Sequence, residues 1–395
     1  LRCYLTFENY PQQYSLFKKV ESLQPGESRI FSLESKSFVQ TIESSHQKGL
    51  LKLDTHELIH LTRQKIENSV RQHLLSDVPM GVYLSGGLDS SLVACMAARH
   101  AGGLTSFTGF FDDKDSYYDE RPYSRMVAKQ IGIEFNEVKI TANDFINHFD
   151  KLIDHLGQPR MGMGSFSQYM VARIAGKNRK VFLSGHGGDE LFAGYTFRYK
   201  KFFELTTKNS TINEKIIAYL NCHERDWVPD QESVFGKETR FNWNDIYKIL
   251  EPYFDNTLPK LTQVFLADYN GKLIHNMQPL YKSIHDYFSI RNITPIQNDE
   301  LVQYSCLLRN DQKYDFKSNQ GKITLVNLLE KYNLKHMVSL QKQGFSVNTS
   351  NLWNSYGKKI FLHYFDKSRL IEDKIINSDW IEKYISKNNL DARYI

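Results

Sequence analysis

The 395-residue sequence predicts an α/β protein built on a parallel, doubly wound sheet, with an additional helical region toward its C-terminus. Three observations point there. From Met80 onward, short apolar runs alternate with helical stretches; glycines stop two of those helices, at Gly102-Gly103 and Gly132; and the loops richest in glycine and serine follow apolar runs directly, after Leu84 and Leu183. A β-α-β-α succession implies parallel strands, right-handed crossovers, helices on both faces and ligands at the carboxyl ends of the strands.

The elements follow in order. Residues 1–50 read as short strands and turns: Tyr4-Leu5-Thr6-Phe7, a turn at Asn9-Tyr10-Pro11, then Leu23-Gln24-Pro25-Gly26 before the extended run Arg29-Ile30-Phe31. Thr55 is a fitting N-cap, after which Leu58, Leu61, Ile66, Val70 and Leu74 keep a helical spacing until Asp77-Val78-Pro79. Strands are expected over 80–84, 104–110, 135–140 and 181–183, and helices over 90–100, 121–130, 145–156 and 168–175. The site should therefore lie in the loops after Leu84, Phe110 and Leu183. Beyond Tyr195 the pattern is mostly helical. From about Asn354, aromatic residues (Phe361, Tyr364, Phe365, Trp380) alternate with basic ones, as in an amphipathic, partly exposed helix pair.

Composition narrows the function classes. Fifty Lys and Arg stand against 45 Asp and Glu, and the balance of +5 is too small and too mixed to argue for nucleic acid or an anionic membrane as partner. No apolar run is long enough for a spanning helix. Cys3, Cys95, Cys222 and Cys306 form no C-x-x-C pair, so neither a zinc site nor a disulfide framework is suggested, and a reducing, cytoplasmic home fits. Leu1 stands where a translated chain begins with methionine, so the sequence reads as a piece of something longer, from which no targeting signal can be judged.

The chemistry concentrates in Leu84-Ser85-Gly86-Gly87-Leu88-Asp89-Ser90-Ser91. Two glycines let the backbone approach a phosphate, the serines add hydroxyl donors, and the N-H groups of a helix start point at the anion. Asp89 would sit poorly beside a polyphosphate unless a cation lies between them, which makes it a candidate for Mg²⁺. No Walker loop occurs, because Gly321-Lys322 lacks the upstream glycine. Without the Walker lysine, cleavage between the α- and β-phosphates, with pyrophosphate leaving, is the better fit. A second loop, Ser184-Gly185-His186-Gly187-Gly188-Asp189-Glu190, follows the fourth strand. If both face one crevice, Asp89 and Asp189 can share the magnesium, while Glu190 partly caps a following helix.

These residues carry a resemblance. Ser85 to Ser91 resembles the PP-loop of the N-type ATP pyrophosphatases, of adenine nucleotide alpha-hydrolase-like fold; together with Ser184 to Tyr195 it resembles the synthetase domain of glutamine-dependent asparagine synthetases. Asp119-Glu120, Gly321-Lys322, Lys342-Gln343-Gly344-Phe345 and Trp353 resemble further elements of that family. The resemblance implies an AMP-forming carbon-nitrogen ligase using ATP and Mg²⁺: a carboxylate attacks the α-phosphate, and an amine then displaces AMP to leave an amide. It further implies that Ser85, Gly86, Gly87, Ser90 and Ser91 hold pyrophosphate, that Leu84 and the backbone near Gly109 flank the nucleotide, and that Ser184 and Gly185 line the adenylate. Lys342 would stabilise charge at the α-phosphate.

Residues 1–50 resemble the end of a glutaminase domain and its junction, 51–355 the synthetase domain, and 356–395 a helical extension. Too few residues precede Ser85 to build a glutaminase, so ammonia or another amine is the expected nitrogen source unless a missing part or separate partner supplies it; a homodimer is a further candidate. Aspartate is the default substrate. The alternative is another carboxylate in a sugar, peptide or natural product, including ring closure of the lasso-cyclase or β-lactam-synthetase type. Three departures from the family pattern favour that alternative: His186 stands where the family carries glutamate, and as neutral imidazole could serve as the amine's base; 289–298 lacks the acidic and basic positions of the family's S-x-E-x-R-x-P-F-L-D; and Leu340 replaces an arginine. A different class is suggested by His56-Glu57-Leu58-Ile59-His60, a literal H-E-x-x-H of the zinc-peptidase type, though Leu58 and Ile59 fit a core-facing stripe.

Overall fold

The computed structural model describes all residues except 1, 8–9, 12–13, 25–26, 43–49, 75–77, 113–118, 158–162, 224–230, 339–352, 366–367 and 387–395. The N-terminal run expected as a strand is a helix, α1 (Arg2–Phe7). Thr6 Oγ1 donates to the Arg2 carbonyl one turn back, at 3.0 Å, and Phe7 packs against a helical core further along the chain, so tertiary docking outweighs the extended preference of so short a segment. The second extended run is half of an antiparallel hairpin, β1 (Glu27–Ser32) with β2 (Ser37–Ile42), separate from the main sheet.

The first long helix, α2 (Thr55–His73), is capped by Asp54 rather than Thr55: Asp54 Oδ1 accepts the Glu57 N-H at 2.8 Å, and Glu57 Oε2 accepts the Asp54 N-H at 3.1 Å. That reciprocal pair is a capping box. It also accounts for the H-E-x-x-H match, because Glu57 serves the helix start, Leu58 is buried, and His56 and His60 are exposed.

The central sheet runs β3 (Met80–Tyr83), β4 (Thr105–Phe111), β5 (Glu134–Ile140), β6 (Val181–Leu183) and β7 (Arg291–Ile293), in spatial order β5-β4-β3-β6-β7 and parallel throughout. Four strands match the sequence reading within a residue or so. The fifth, β7, falls in a stretch whose three residues include one apolar side chain. Helices α3 (Leu88–Ala98), α4 (Arg121–Ile131), α5 (Ala142–Leu156) and α6 (Met163–Ala175) make the crossovers. Gly132 ends α4 in the left-handed conformation, as a C-cap glycine does.

Two apolar layers cover the sheet. One joins α2, α3 and the Ile323–Lys331 helix to Val82 and Leu183; the other joins α5, α6 and the Gln278–Tyr287 helix to Phe182, Val138 and Ile140. α3 is buried almost all round, which is why nearly every residue from Leu88 to Ala97 is apolar or small. A separate helical core gathers the Thr196–Leu205, Ile212–Cys222, Trp243–Phe254 and Lys260–Asp268 helices around Tyr199, Phe202 and Phe254. The chain leaves β3 toward β4 and β5 on one side and returns to β6 and β7 on the other. β3 and β6 are therefore neighbours at the point where strand order reverses, where open α/β sheets form their ligand crevice.

Candidate active site

The loop after β3 is organised by its own serines. Ser90 Oγ accepts the Ser85 N-H at 3.2 Å and donates to the Gly87 carbonyl at 3.1 Å, and the two serine hydroxyls lie 3.1 Å apart. Gly86 takes φ 71°, and a Cβ there would come within 2.6 Å of Tyr123 Cβ and 2.9 Å of the Ser124 nitrogen at the start of α4. Only glycine suits both the dihedral and that approach. Leu84 is buried beneath the loop, its carbonyl accepting from Thr108 Oγ1 and Ser124 Oγ, while Gly109 lies half-buried in β4 opposite Val138. Asp119, from the Asp119-Glu120 element, holds Arg121 by two hydrogen bonds of 2.7 and 2.8 Å; that bonding keeps its carboxyl below the usual range, and the guanidinium covers the Phe110 ring.

The loop after β6 closes on the first. Ser184 N-H donates to the Ile293 carbonyl of β7. A Cβ on Gly185 would lie 2.5 Å from the Ser90 nitrogen and 2.6 Å from the Asp89 carbonyl carbon, so the two loops touch backbone to backbone. A Cβ on Gly188 would fall 2.3 to 2.6 Å from the Asp89 carboxylate. Beyond it the short helix α7 (Gly188–Phe192) carries Asp189 and Glu190, both buried. Glu190 accepts a 2.5 Å hydrogen bond from the Tyr195 hydroxyl, whose pKa burial and the Glu190 charge push well up; Glu190 lies within α7, whose N-cap is Gly187, so it bonds this hydroxyl where a helix cap was expected. The hydroxyls of Ser91 and Ser184 are buried at these loops and meet no hydrogen-bond partner among the described residues.

Asp89 and Asp189 are brought together by a residue to which the sequence reading assigned no role. Lys322 Nζ stands 2.5 Å from Asp89 Oδ2 and 2.6 Å from Asp189 Oδ1, with the three side chains only 8–12% exposed. The sole advance signal was the Gly321-Lys322 dipeptide. His186 stacks on Tyr281, ring centroids 4.4 Å apart, and Gln297 packs against Gly187 while accepting from Gln278 Nε2. Tyr281 and Gln278 lie on one helix and had no sequence signal of their own. Lys342, with Leu340 and the rest of its segment, lies outside the described residues. A cavity of about 400 Å³ lined by Gly103, Thr105 and Glu134 sits at the opposite, amino-terminal edge of the strands, away from both loops.

Comparison with known proteins settles the family. Residues 61–394 match asparagine synthase. The chain belongs to the asparagine synthase family. It is 30% identical over 195 residues to asparagine synthetase [glutamine-hydrolyzing] 1 of Bacillus subtilis (strain 168), which is 49% of this chain and 30% of that one. It is 31% identical over 187 residues to putative asparagine synthetase [glutamine-hydrolyzing] 2 of Methanocaldococcus jannaschii, covering 47% of this chain and 36% of the relative. The matched region thus spans about a third of these curated relatives' length. Among solved structures, the NH3-dependent NAD synthetase of Campylobacter jejuni aligns over 57% of this chain and 100% of its own, at 15% identity and a TM-score of 0.27. Family membership and the parallel sheet together place both glycine-serine loops in the region that makes this chain an asparagine synthase relative.

Proposed function

We propose that this chain activates a carboxylate with ATP as an acyl-adenylate and passes the acyl group to an amine, with aspartate and ammonia as the first substrate pair. The observation that carries the reading is the meeting, at the strand switch point, of two glycine-serine loops that each present a carboxylate to one shared cation position. The N-terminus of the eleven-residue α3, with the Ser85 and Ser90 hydroxyls, suits a pyrophosphate group. Two carboxylates within reach of one cation position are the hard oxygen donors that magnesium takes, so Asp89 and Asp189 fit Mg²⁺. Bound there, the ion would neutralise charge on the departing pyrophosphate.

In the first step a carboxylate oxygen bonds to the α-phosphorus and the bond to the bridging oxygen breaks, pyrophosphate leaving with the electron pair. Lys342 supplies fixed positive charge at the α-phosphate. In the second, the amine nitrogen bonds to the acyl carbon, AMP leaves with the carbon-oxygen pair, and a ring nitrogen of His186 takes the amine proton. The Tyr281 ring holds that imidazole in one plane. Nitrogen arrives as ammonia, free or from a glutaminase. Described cysteines without disulfides fit a cytoplasmic setting, and no described helix is long and apolar enough to cross a membrane.

A second reading, a carboxylate other than aspartate, is favoured by the wall beside His186 and Gly187. It is built of the Tyr281 ring and the Gln278–Gln297 amide pair. Ile293, where the family pattern places arginine, packs against the apolar layer of α2 and α3, and the wall offers aromatic and amide contacts to an acceptor. ATP–pyrophosphate exchange across candidate carboxylates, with ammonium present, separates the readings. Exchange with aspartate and an asparagine product supports the first; exchange only with larger carboxylates supports the second; no exchange with any sinks both.

A further inference from the structure

We propose that Lys322 is a positioning residue that acts as an exchangeable counter-cation: its ammonium holds Asp89 and Asp189 together in the nucleotide-free protein and yields their shared position when a divalent cation arrives with a polyphosphate. This rests on the reading of the two aspartates as the magnesium ligands. The ammonium lies 2.5 and 2.6 Å from the two carboxylates, where a shared metal ion would have to sit. Two mutually facing, largely buried carboxylates repel each other without a cation, and Lys322 supplies one charge against their two.

The backbone of Lys322 is fixed to the same loop that carries Asp189. Its N-H donates to the Phe192 carbonyl at 3.0 Å, its φ is 53°, and a Cβ on Gly321 would strike the Ala193 carbonyl oxygen at 1.9 Å. Exchange is therefore a movement of the side chain alone. Gly194 supports the same conclusion, since a Cβ there would meet Asp189 Oδ1 at 1.8 Å and Lys322 Cε at 2.5 Å; the chain keeps this volume clear of side chains for the ion pair. The buried hydroxyls of Ser91 and Ser184 on the same two loops, which meet no hydrogen-bond partner among the described residues, independently point to a polar ligand.

A divalent cation alone would find its position filled and would leave the displaced ammonium beside a doubly charged ion. A polyphosphate removes that obstacle by giving the ammonium an anionic partner. Metal and nucleotide binding are thereby coupled in the wild-type chain and uncoupled once the ammonium is gone.

The test is Mn²⁺ binding by EPR to the full chain, with and without a non-hydrolysable ATP analogue, in wild type, Lys322→Met and Lys322→Arg. Without nucleotide, Lys322→Met should bind Mn²⁺ at least about tenfold more tightly than wild type, a coupling of ordinary size, while Lys322→Arg stays close to wild type. Thermal melts should show Mn²⁺ stabilising nucleotide-free Lys322→Met and leaving nucleotide-free wild type unchanged. If Lys322→Met does not fold, wild type alone still decides: Mn²⁺ bound only after the analogue is added supports exchange. Wild type binding Mn²⁺ equally well with and without the analogue overturns the exchange and leaves the magnesium reading standing. No Mn²⁺ bound by any of the proteins, even with the analogue, overturns both.

Discussion

At Gly185 a single methyl group would meet backbone on two sides, the Ser90 nitrogen and the Asp89 carbonyl carbon, and neither can swing away as a side-chain tip could. Gly185→Ala must part the two loops, and misplacement on the order of 1 Å is expected to lower ATP–pyrophosphate exchange about 100-fold, measured by isotope incorporation into ATP. Asp89→Ala and Asp189→Ala should each abolish that exchange. His186→Ala should leave exchange near wild type and slow amide formation in single-turnover assays; an equal loss of both would contradict its role as the amine's base. The turn from β3 into α3 was legible because its glycines and serines serve one local purpose, a tight loop bonded within itself. Lys322 was not, because its partners lie 233 residues upstream at Asp89 and 133 upstream at Asp189, and nothing in a lysine's neighbours announces such pairing.

Among the elements, the Gln278–Tyr287 helix ties the sheet to the Tyr281 ring beside His186. Its His285 is buried; the Nδ1 side meets the Tyr281 carbonyl, and Nε2 accepts from the Tyr83 hydroxyl at 2.8 Å, an arrangement that suits a neutral ring. Burial pushes this imidazole down to about 4 from its ordinary 6.5. The unfolded chain therefore binds the proton first as pH falls, so the stabilisation is complete above pH 6.5 and is lost progressively toward pH 4, by up to about 3 kcal/mol. Urea unfolding from pH 7 to 4 should show this slope and His285→Gln should flatten it. The strands make a complementary point at Gly81, where a Cβ would fall 2.3 Å from the Phe182 ring of β6. Gly81→Ala should destabilise by about 1 to 3 kcal/mol in denaturant titrations. Strands β3 to β6 were legible from their apolar runs, whereas β7 and α1 take their conformation from neighbours distant in sequence. The π-helical stretch Tyr269–Met277 precedes the helix carrying Tyr281.

For the molecule as a whole, the second helical core holds a buried charge network that reaches the loop after β6. Asp268, fully buried, accepts from the Tyr219 hydroxyl at 2.9 Å and faces Arg198 at 3.4 Å, while Arg198 covers the Tyr195 ring beside Glu190. Removing the carboxylate takes away the negative charge it sets against the buried Arg198 guanidinium and the hydrogen bond it accepts from Tyr219. Asp268→Ala is therefore expected to cost about 3 to 5 kcal/mol of unfolding free energy, and Asp268→Asn less, by urea titration with circular dichroism. A change within error for both would show that Arg198 finds compensation elsewhere.

Local order of residues determined the doubly wound class, the two glycine-serine loops and the family, because strand periods, helix stops and a glycine-serine turn into a helix are each written within a dozen consecutive positions. Tertiary structure alone decided that β3 and β6 are neighbours, that Asp89 and Asp189 close on one ammonium, and that Tyr281 stands over His186. Those facts depend on strand order and on packing between residues as far apart as the 233 positions from Asp89 to Lys322, and a side chain's distant partner leaves no mark on its immediate neighbours.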